Sequence, residues 1–208
     1  MKEVSYKVNE IFSSIQGEGI FIGLPMNFVR FTRCNLSCRW CDTAYGKGSE
    51  LSCAGIIKKL DKKIEWVSLT GGEPLMEKDL SCLVSKLKNK GFKVLLETNG
   101  SMYDKKIFPS CDHISLDLKA PSSGNCVHSA DALCYCLTHP KKSQIKVVVQ
   151  DECDLRFFAR MHSSGKEYPN WIIQPEWSRI DTIDYSKIIS RYPCVRVIPQ
   201  MHKLLKVR

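Results

Sequence analysis

Residues 26–43 read MNFVRFTRCNLSCRWCDT, an apolar run that passes directly into a loop with three closely spaced cysteines. The run has the composition of a buried β-strand, and similar runs recur along the chain, separated by segments with helical periodicity. The predicted strands are 26–31, 65–69, 92–97, 113–118, 144–149, 171–174 and 195–198, and the predicted helices are 52–62, 77–90, 130–137, 153–162 and 182–190. This alternation predicts an α/β fold in which helices cover a parallel sheet. Several strands are near-continuous apolar runs, which is typical of strands buried on both faces.

Glycine-rich turns follow several of these strands, at 71–72, 99–100 and 121–124. In parallel βα folds, ligands collect at the carboxyl ends of the strands, so these turns indicate a single binding rim. About six βα units are too few to close an eight-stranded barrel. We therefore expect a partial, open βα barrel with about six parallel strands, formed by one domain over 1–208.

The composition is that of an ordinary globular protein, with 208 residues, 43% hydrophobic and 25% charged. It contains no apolar run long enough to span a membrane and no apolar signal core near residue 1, so we expect a cytoplasmic protein. The net charge of +9 is spread over lysine pairs without interleaved aromatic residues. This pattern favours solvated helix faces over direct nucleic-acid binding, although an RNA-binding module remains an alternative.

The cysteines at 34, 38 and 41 have the spacing C-x3-C-x2-C. Three thiolates on a short loop can hold a [4Fe–4S] cluster and leave one iron without a protein ligand. The amino and carboxylate groups of S-adenosylmethionine (SAM) can chelate that iron. A structural zinc site is the alternative, but zinc needs four ligands, and neither His113 nor Cys53 has a recognisable spacing to the loop.

Eleven cysteines in an intracellular chain favour metal binding over disulfides. Cys126, Cys134 and Cys136 suggest a second cluster. However, Cys134 and Cys136 lie two residues apart in a predicted helix and point to different faces, so shared ligation is disfavoured.

Two further features give a resemblance to the radical SAM superfamily. Trp40 precedes the third cysteine, as an aromatic residue often does in that superfamily, and residues 70–74, TGGEP, resemble its glycine-rich motif, which meets the amino group of SAM. Glycines let backbone carbonyls approach an ammonium group, and Glu73 adds a further acceptor.

Within the superfamily, the chain resembles the 7-carboxy-7-deazaguanine synthase family. The resemblance rests on three segments: SSIQGEG at 13–19, CDT at 41–43 and PQMHK at 199–203. It implies a carbon–nitrogen lyase that converts 6-carboxy-5,6,7,8-tetrahydropterin to 7-carboxy-7-deazaguanine and ammonia, in the biosynthesis of queuosine and archaeosine. It also implies that SAM is regenerated and that Mg²⁺ takes part.

The resemblance also assigns roles to individual residues. It implies that Cys34, Cys38 and Cys41 hold the cluster, that Thr43 binds Mg²⁺, and that Ile15, Gln16, Gly17, Arg30 and Thr70 bind the substrate. For SAM it implies Trp40, Cys41, Asp42, Gly72, Glu97, Asn99, Asp117, Leu118, Lys119 and Gln174. An arginine is well suited to a substrate carboxylate because its guanidinium can donate two parallel hydrogen bonds.

Three points depart from the family or stay open. Residues 117–119 read Asp-Leu-Lys where many relatives have Ser-Pro-Lys, and the chain ends in Lys-Val-Arg, so no role is assigned to a terminal carboxylate. Asp42 and Glu18 are the two candidates for a base in the later steps of the reaction.

The resemblance suggests a homodimer, and the basic charge suits an acidic electron donor such as flavodoxin. The alternative function is a radical SAM activase of a glycyl-radical enzyme.

Overall fold

The computed structural model describes residues 4–43, 46 and 48–207. The strands are β1 Ser5–Ile15, β2 Pro25–Phe31, β3 Ser49–Ser52, β4 Trp66–Gly71, β5 Lys93–Thr98, β6 His113–Leu118, β7 Ser143–Val149, β8 Trp171–Pro175 and β9 Arg196–Val197. The helices are α1 Cys53–Lys58, α2 Leu80–Asn89, α3 Ile107–Ser110, α4 Ala130–Thr138, α5 Glu152–Ser163, α6 Tyr185–Arg191 and α7 Met201–Leu205. Helices between successive strands carry the chain from one parallel strand to the next.

All nine strands form one sheet in the order β3-β1-β2-β4-β5-β6-β7-β8-β9. In this order, each strand from β2 to β9 pairs in parallel with its neighbour: β2 with β4, β4 with β5, and so on to β8 with β9. Strand β1 pairs antiparallel with both β2 and β3. Since β3 and β9 lie at opposite ends of this order, the sheet is open in the described part of the chain. The predicted α/β fold with an open parallel sheet is confirmed.

Alternate side chains of the parallel strands point to the helices and build the main core. Val67 and Leu69 of β4 pack there with Leu83 and Leu87 of α2, and all four are fully buried. The α2 residues recur on one helix face at helical spacing, which is why this segment buries one side and exposes its lysines.

The opposite face of the sheet is polar rather than apolar. Ser68, Glu97, Asp117, Lys146 and Gln174 project from successive strands to this inner face, with little of their surface exposed. The expectation that the strands are apolar on both faces therefore holds only for the outer face and for the floor of the inner space.

Apolar and aromatic side chains close the inner face at the amino ends of the strands. Met26, Phe28 and Leu95 form a small buried cluster, and Phe21 and Trp66 pack against it with their ring centroids 4.8 Å apart. This floor closes the inner space towards the amino ends of the strands.

Every predicted strand is present, but two strands and two helices were not predicted. These are β1, β3, α3 and α7. β1 escapes prediction because it combines polar residues with only a few apolar ones, and β3, α3 and α7 because they are four or five residues long. Helices α1, α2 and α6 are also shorter than predicted. None of the helices in the described part of the chain combines the length and hydropathy that crossing a bilayer requires.

His113 lies in the floor, where its ring meets Phe21 edge to face at 4.8 Å. It is 3% exposed, and its Nε2 has no hydrogen-bond partner among the described residues. Burial lowers the pKa of His113 to about 4 from an ordinary 6.5. Because unfolding releases a histidine that protonates more readily, this residue stabilises the fold above pH 6.5 and loses that contribution as the pH falls towards 4.

We therefore expect His113→Leu to flatten the pH dependence of the free energy of unfolding between pH 6.5 and 4. The contribution removed is up to about 3 kcal/mol. Denaturant unfolding at several pH values measures it, with His128→Leu, at an exposed position, as the control. An unchanged slope in His113→Leu would contradict this account.

Candidate active site

A cavity of about 440 Å³ opens at the carboxyl ends of the parallel strands, above the apolar floor. The cysteine loop forms one wall, and the inner faces of the strands form the others. Of the predicted site residues, two do not line it: the side chain of Leu118 is fully buried in the main core, and Glu73 is buried behind the glycine turn. The lining residues include Ile15, Gln16, Gly17, Arg30, Cys34, Cys38, Trp40, Cys41, Asp42, Thr43, Thr70, Gly72, Glu97, Asn99, Asp117, Lys119 and Gln174.

Amide groups from two other loops approach the cysteine sulfurs. The Nδ2 of Asn99 lies 3.8 Å from the Sγ of Cys34, and the Nδ2 of Asn125 lies 3.6 Å from the Sγ of Cys38. Hydrogen bonds to sulfur stabilise thiolates and tune the potential of an iron–sulfur cluster. The donor set around this loop therefore fits a cluster held by Cys34, Cys38 and Cys41.

The geometry does not favour the alternative metal sites. Within residues 4–43, 46 and 48–207, no three His, Cys, Asp or Glu side chains come close enough to hold a single metal ion. In a cluster each thiolate binds its own iron, so the sulfurs need not converge on one point. His113 lies in the floor and Cys53 in the main core, while Cys136 is buried and Cys134 is exposed on α4.

The turn after β4 fits closely beneath the cysteine loop. Gly71 has φ +109°, and a Cβ at Gly72 would collide with the backbone carbonyl of Arg33. The N–H of Glu73 donates to that same carbonyl at 2.6 Å. Glycine at 72 is therefore required for the two loops to touch.

Glu73 differs from the expectation that its side chain accepts from SAM. Its carboxylate is fully buried and takes hydrogen bonds from Thr98 Oγ1 at 2.9 Å, Asn99 N at 2.7 Å and Leu75 N at 3.1 Å. Burial raises the pKa of Glu73, and these donors oppose that rise. The side chain does not line the cavity; it ties the glycine turn to the end of β5 and so holds Asn99 beside Cys34.

Glu97 accepts hydrogen bonds from three residues, two on β4 and one in the segment after β1. Its carboxylate accepts from Ser68 Oγ at 2.6 Å, Gln16 Nε2 at 2.9 Å and Thr70 Oγ1 at 3.3 Å. Glu97 was predicted to contact SAM. In the structure its carboxylate accepts hydrogen bonds from Gln16 and Thr70, which were predicted to contact the substrate.

Arg30 projects from β2 into the same region of the cavity. Its Nε pairs with Glu10 at 2.8 Å, its Nη1 lies 3.3 Å from Thr43 Oγ1, and its guanidinium sits over the Phe12 ring. Glu10 thereby orients the guanidinium from the antiparallel strand β1, a positioning role that sequence reasoning missed.

A chain of largely buried charges forms another part of the cavity wall. Lys146 pairs with Glu18 and, at 3.2 Å, with Asp117, which also pairs with Lys119 at 3.0 Å. The ammonium of Lys119 in turn lies 5.0 Å from the ring centroid of Trp40 in the cysteine loop. The four charges therefore link the segment after β1 to the cysteine loop.

The segment around α7 covers the cavity from the end of the chain. Gln200 donates to Glu18 at 2.7 Å, Met201 N–H donates to Gly17 O at 2.9 Å, and Lys203 pairs with Asp42 at 3.0 Å. Four residues that line the cavity were not predicted as site residues: Gln200, His202, Lys203 and Lys146. PQMHK at 199–203 was the signal for the first three; a lysine within an apolar strand was the signal for Lys146.

Comparison with known proteins agrees with this geometry. Residues 28–130 match the family model described as the radical SAM superfamily. The 7-carboxy-7-deazaguanine synthase of Thermoplasma acidophilum is 38% identical over 205 residues, which cover 95% of this chain and 96% of the relative. The synthase of Aquifex aeolicus is 30% identical over 219 residues, 97% and 94% of the two chains. The chain belongs to the 7-carboxy-7-deazaguanine synthase family.

Solved structures share the fold of this synthase family member. The crystal structure of QueE from Escherichia coli matches with a TM-score of 0.76 over 95% of each chain, at 23% identity. SuiB from Streptococcus suis bound to S-adenosylmethionine matches with a TM-score of 0.57 over 81% of this chain and 45% of SuiB, at 14% identity. Membership of the radical SAM superfamily implies a [4Fe–4S] cluster and SAM as cofactors.

Gly72→Ala should displace the cysteine loop, because the added methyl group has no space beside the Arg33 carbonyl. We expect a loss of more than half of the bound iron after anaerobic reconstitution, measured by absorption and iron analysis. Gly55→Ala is the matched control, since a Cβ at this α1 position meets only ordinary contacts. Full iron content in Gly72→Ala would refute the close fit of the two loops.

Proposed function

We propose that this protein converts 6-carboxy-5,6,7,8-tetrahydropterin to 7-carboxy-7-deazaguanine and ammonia inside the cavity described above. The observation that carries the proposal is that the cysteine loop, Arg30, Gln16 and Glu97 all line one cavity. Membership of the synthase family supplies the reaction, and the cavity offers a cation and several acceptors for a small anionic heterocycle.

Cys34, Cys38 and Cys41 are proposed to hold the cluster, which together with SAM supplies the 5′-deoxyadenosyl radical that takes a hydrogen atom from the substrate. The residues proposed to bind SAM surround the loop. Gly72 brings its backbone close to the loop, Trp40 is fixed by a 3.1 Å hydrogen bond to Ser122, and Asn99 is held by Glu73. The proposed set is completed by Cys41, Asp42, Glu97, Asp117, Leu118, Lys119 and Gln174, with Leu118 restricted to its backbone.

Arg30 is proposed to bind the carboxylate of the substrate. Its Nε is engaged by Glu10, which leaves the Nη groups directed to the cavity beside Thr43. Backbone groups of 15–17 and the hydroxyl of Thr70 are proposed to contact the pterin ring. Gln16 is fixed for this role by its bond to Glu97.

Mg²⁺ is proposed to bind the hydroxyl of Thr43 together with the substrate carboxylate. Mg²⁺ keeps several waters and needs few protein oxygens, so one hydroxyl next to Arg30 is a sufficient protein contribution. Two observations support this placement. Thr43 lines the cavity, and its Oγ1 lies 3.3 Å from Nη1 of Arg30, the residue proposed to bind the same carboxylate.

Glu18 and Asp42 differ in their suitability as a base. Burial alone would raise the pKa of Glu18, but the charge and hydrogen bond of Lys146 and the bond from Gln200 lower it to about 2. A carboxylate held this firmly is a weak proton acceptor at neutral pH. We therefore propose Glu18 as a fixed hydrogen-bond acceptor and keep the hypothesis of a base for Asp42.

Several wider properties are part of the same proposal. We propose a single radical SAM domain over 1–208 that works as a homodimer in the cytoplasm, supported by family resemblance and by eleven free cysteines, which suit a reducing compartment. The net charge of +9 supports reduction by an acidic donor such as flavodoxin. A glycyl-radical activase is not favoured, because the relatives that match along nearly the whole chain are synthases.

The decisive experiment is anaerobic reconstitution followed by incubation with the tetrahydropterin, SAM, Mg²⁺ and a reductant. We expect 7-carboxy-7-deazaguanine from the unmodified protein, and neither product nor 5′-deoxyadenosine from Cys34→Ala, Cys38→Ala or Cys41→Ala. Cys134→Ala, at an exposed position outside the cavity, is the control. Formation of 5′-deoxyadenosine without the deazaguanine would instead favour the activase.

Arg30→Ala should raise the KM for the pterin at least tenfold, because it removes the cation proposed for the carboxylate. The cluster spectrum should not change, and Arg160→Ala on α5 is the control. A normal KM would rule out this role for Arg30.

Thr43→Ala should keep the cluster and raise the Mg²⁺ concentration needed for half-maximal turnover at least tenfold, while Thr43→Ser should restore it. The direct measurement is a Mg²⁺ titration of steady-state turnover. Thr32→Ala, whose hydroxyl contacts Lys7 O outside the cavity, is the control. A Mg²⁺ response unchanged in Thr43→Ala would remove Thr43 from the metal site.

A further inference from the structure

Lys146 is the most deeply buried charged side chain in the wall of the cavity, with 7% of its side chain exposed. It arises from β7, in the middle of the sheet, between β6 and β8. An ammonium group in such a place is retained only where carboxylates compensate its burial. Glu18 and Asp117 provide this compensation from two different segments.

Both oxygens of Glu18 are occupied by groups that come from distant parts of the chain. Oε2 takes the ammonium of Lys146, and Oε1 takes the amide of Gln200 at 2.7 Å. The backbone N–H of Glu18 donates to the side chain of Gln16 at 3.1 Å. The carboxylate is thereby held at the rim of the cavity, next to the segment proposed to contact the pterin.

Asp117 anchors Lys146 from the other side. Its Oδ2 receives both Lys146 and Lys119, while Oδ1 is buried without a hydrogen-bond partner among the described residues. This carboxylate lies on β6, at the register position directly beside Lys146 on β7. Lys146 therefore has two partners: Glu18, which faces the cavity, and Asp117, which fixes the position of Lys146 itself.

We propose that Lys146 is a positioning residue that, anchored by Asp117, holds Glu18 as a charged acceptor for N–H groups on the ring of the substrate. The inference deepens the proposed function and rests on it. A fixed carboxylate suits a pterin because the ring edge that bears its amino group presents N–H donors, and a charged acceptor makes stronger hydrogen bonds than a neutral one.

The surroundings of Glu18 predict how its charge depends on Lys146. The charged and titratable groups near the pair of Glu18 and Lys146 are Asp117 on β6, Lys119 just after β6, Glu97 on β5 and His202 on α7. Only Lys146 gives Glu18 a direct ion pair among the described contacts. Without it, fewer interactions oppose the effect of burial, so the pKa of Glu18 rises and its protonated form gains population as the pH falls.

The test uses the reconstituted holoenzyme with SAM and Mg²⁺ but without reductant, so that binding is measured without turnover. The Kd for the tetrahydropterin is determined by calorimetry from pH 5.5 to 8.5, and thermal unfolding is followed at each pH. We expect a flat profile for the unmodified protein and for Lys146→Arg. Lys146→Met should bind roughly tenfold more weakly at pH 6 and recover as the pH rises.

A double-mutant cycle with Glu18→Gln keeps the inference testable where Lys146→Met folds poorly. The double variant removes one carboxylate together with the ammonium, so it buries less uncompensated charge than Lys146→Met alone. If Lys146 acts through Glu18, then Lys146→Met should have no further effect on the Kd in the Glu18→Gln background. Lys93→Met, which breaks an exposed pair with Glu65, is the control for lysine removal.

Three results would overturn the inference. These are an unchanged Kd in a folded Lys146→Met, a weakening that does not vary with pH, and losses that add in the Glu18→Gln background. Failure of the unmodified holoenzyme to bind the pterin would instead refute the proposed function, and the inference with it.

Discussion

Side chains alternate between the two faces of each parallel strand, and this constraint organises the whole molecule. In β4, Val67 and Leu69 face the helices while Ser68 and Thr70 face the inner space. The same alternation runs through β5 to β8, so one sheet provides an apolar core on one side and a polar cavity on the other. A shift of one residue in any strand would exchange the two sets and destroy both.

The cysteine loop has no regular secondary structure, so its shape depends on contacts with neighbouring turns. The glycine turn supports it from below, Asn99 and Asn125 approach its sulfurs, and Ser122 fixes Trp40. Glu73 contributes indirectly, because its buried carboxylate joins the glycine turn to β5. A residue of a ligand-binding motif can therefore act by holding the loops that bind, without itself reaching the ligand.

Much of this architecture was predictable because it depends on local signals. Apolar runs mark the parallel strands, and the spacing of Cys34, Cys38 and Cys41 marks the loop at which a cluster would bind. The inner polar wall was not predictable to the same degree. Lys146 and Gln174 stand within apolar strands, and only the pairing of β6, β7 and β8 brings Asp117 and Lys146 together with the distant Glu18. Contacts of this kind depend on register between strands far apart in sequence.

The hydrogen bond from Met201 to Gly17 joins segments separated by nearly the full chain. The strand β1 supplies one rim of the cavity before any parallel strand exists, while Gln200 and Lys203 arrive only after the sheet is complete. A nascent chain emerging from the ribosome therefore carries an unfinished pocket until the residues around 201 have been synthesised. Bringing two such distant segments together costs loop-closure entropy, and the sheet between them lowers that cost by holding both segments at the same rim.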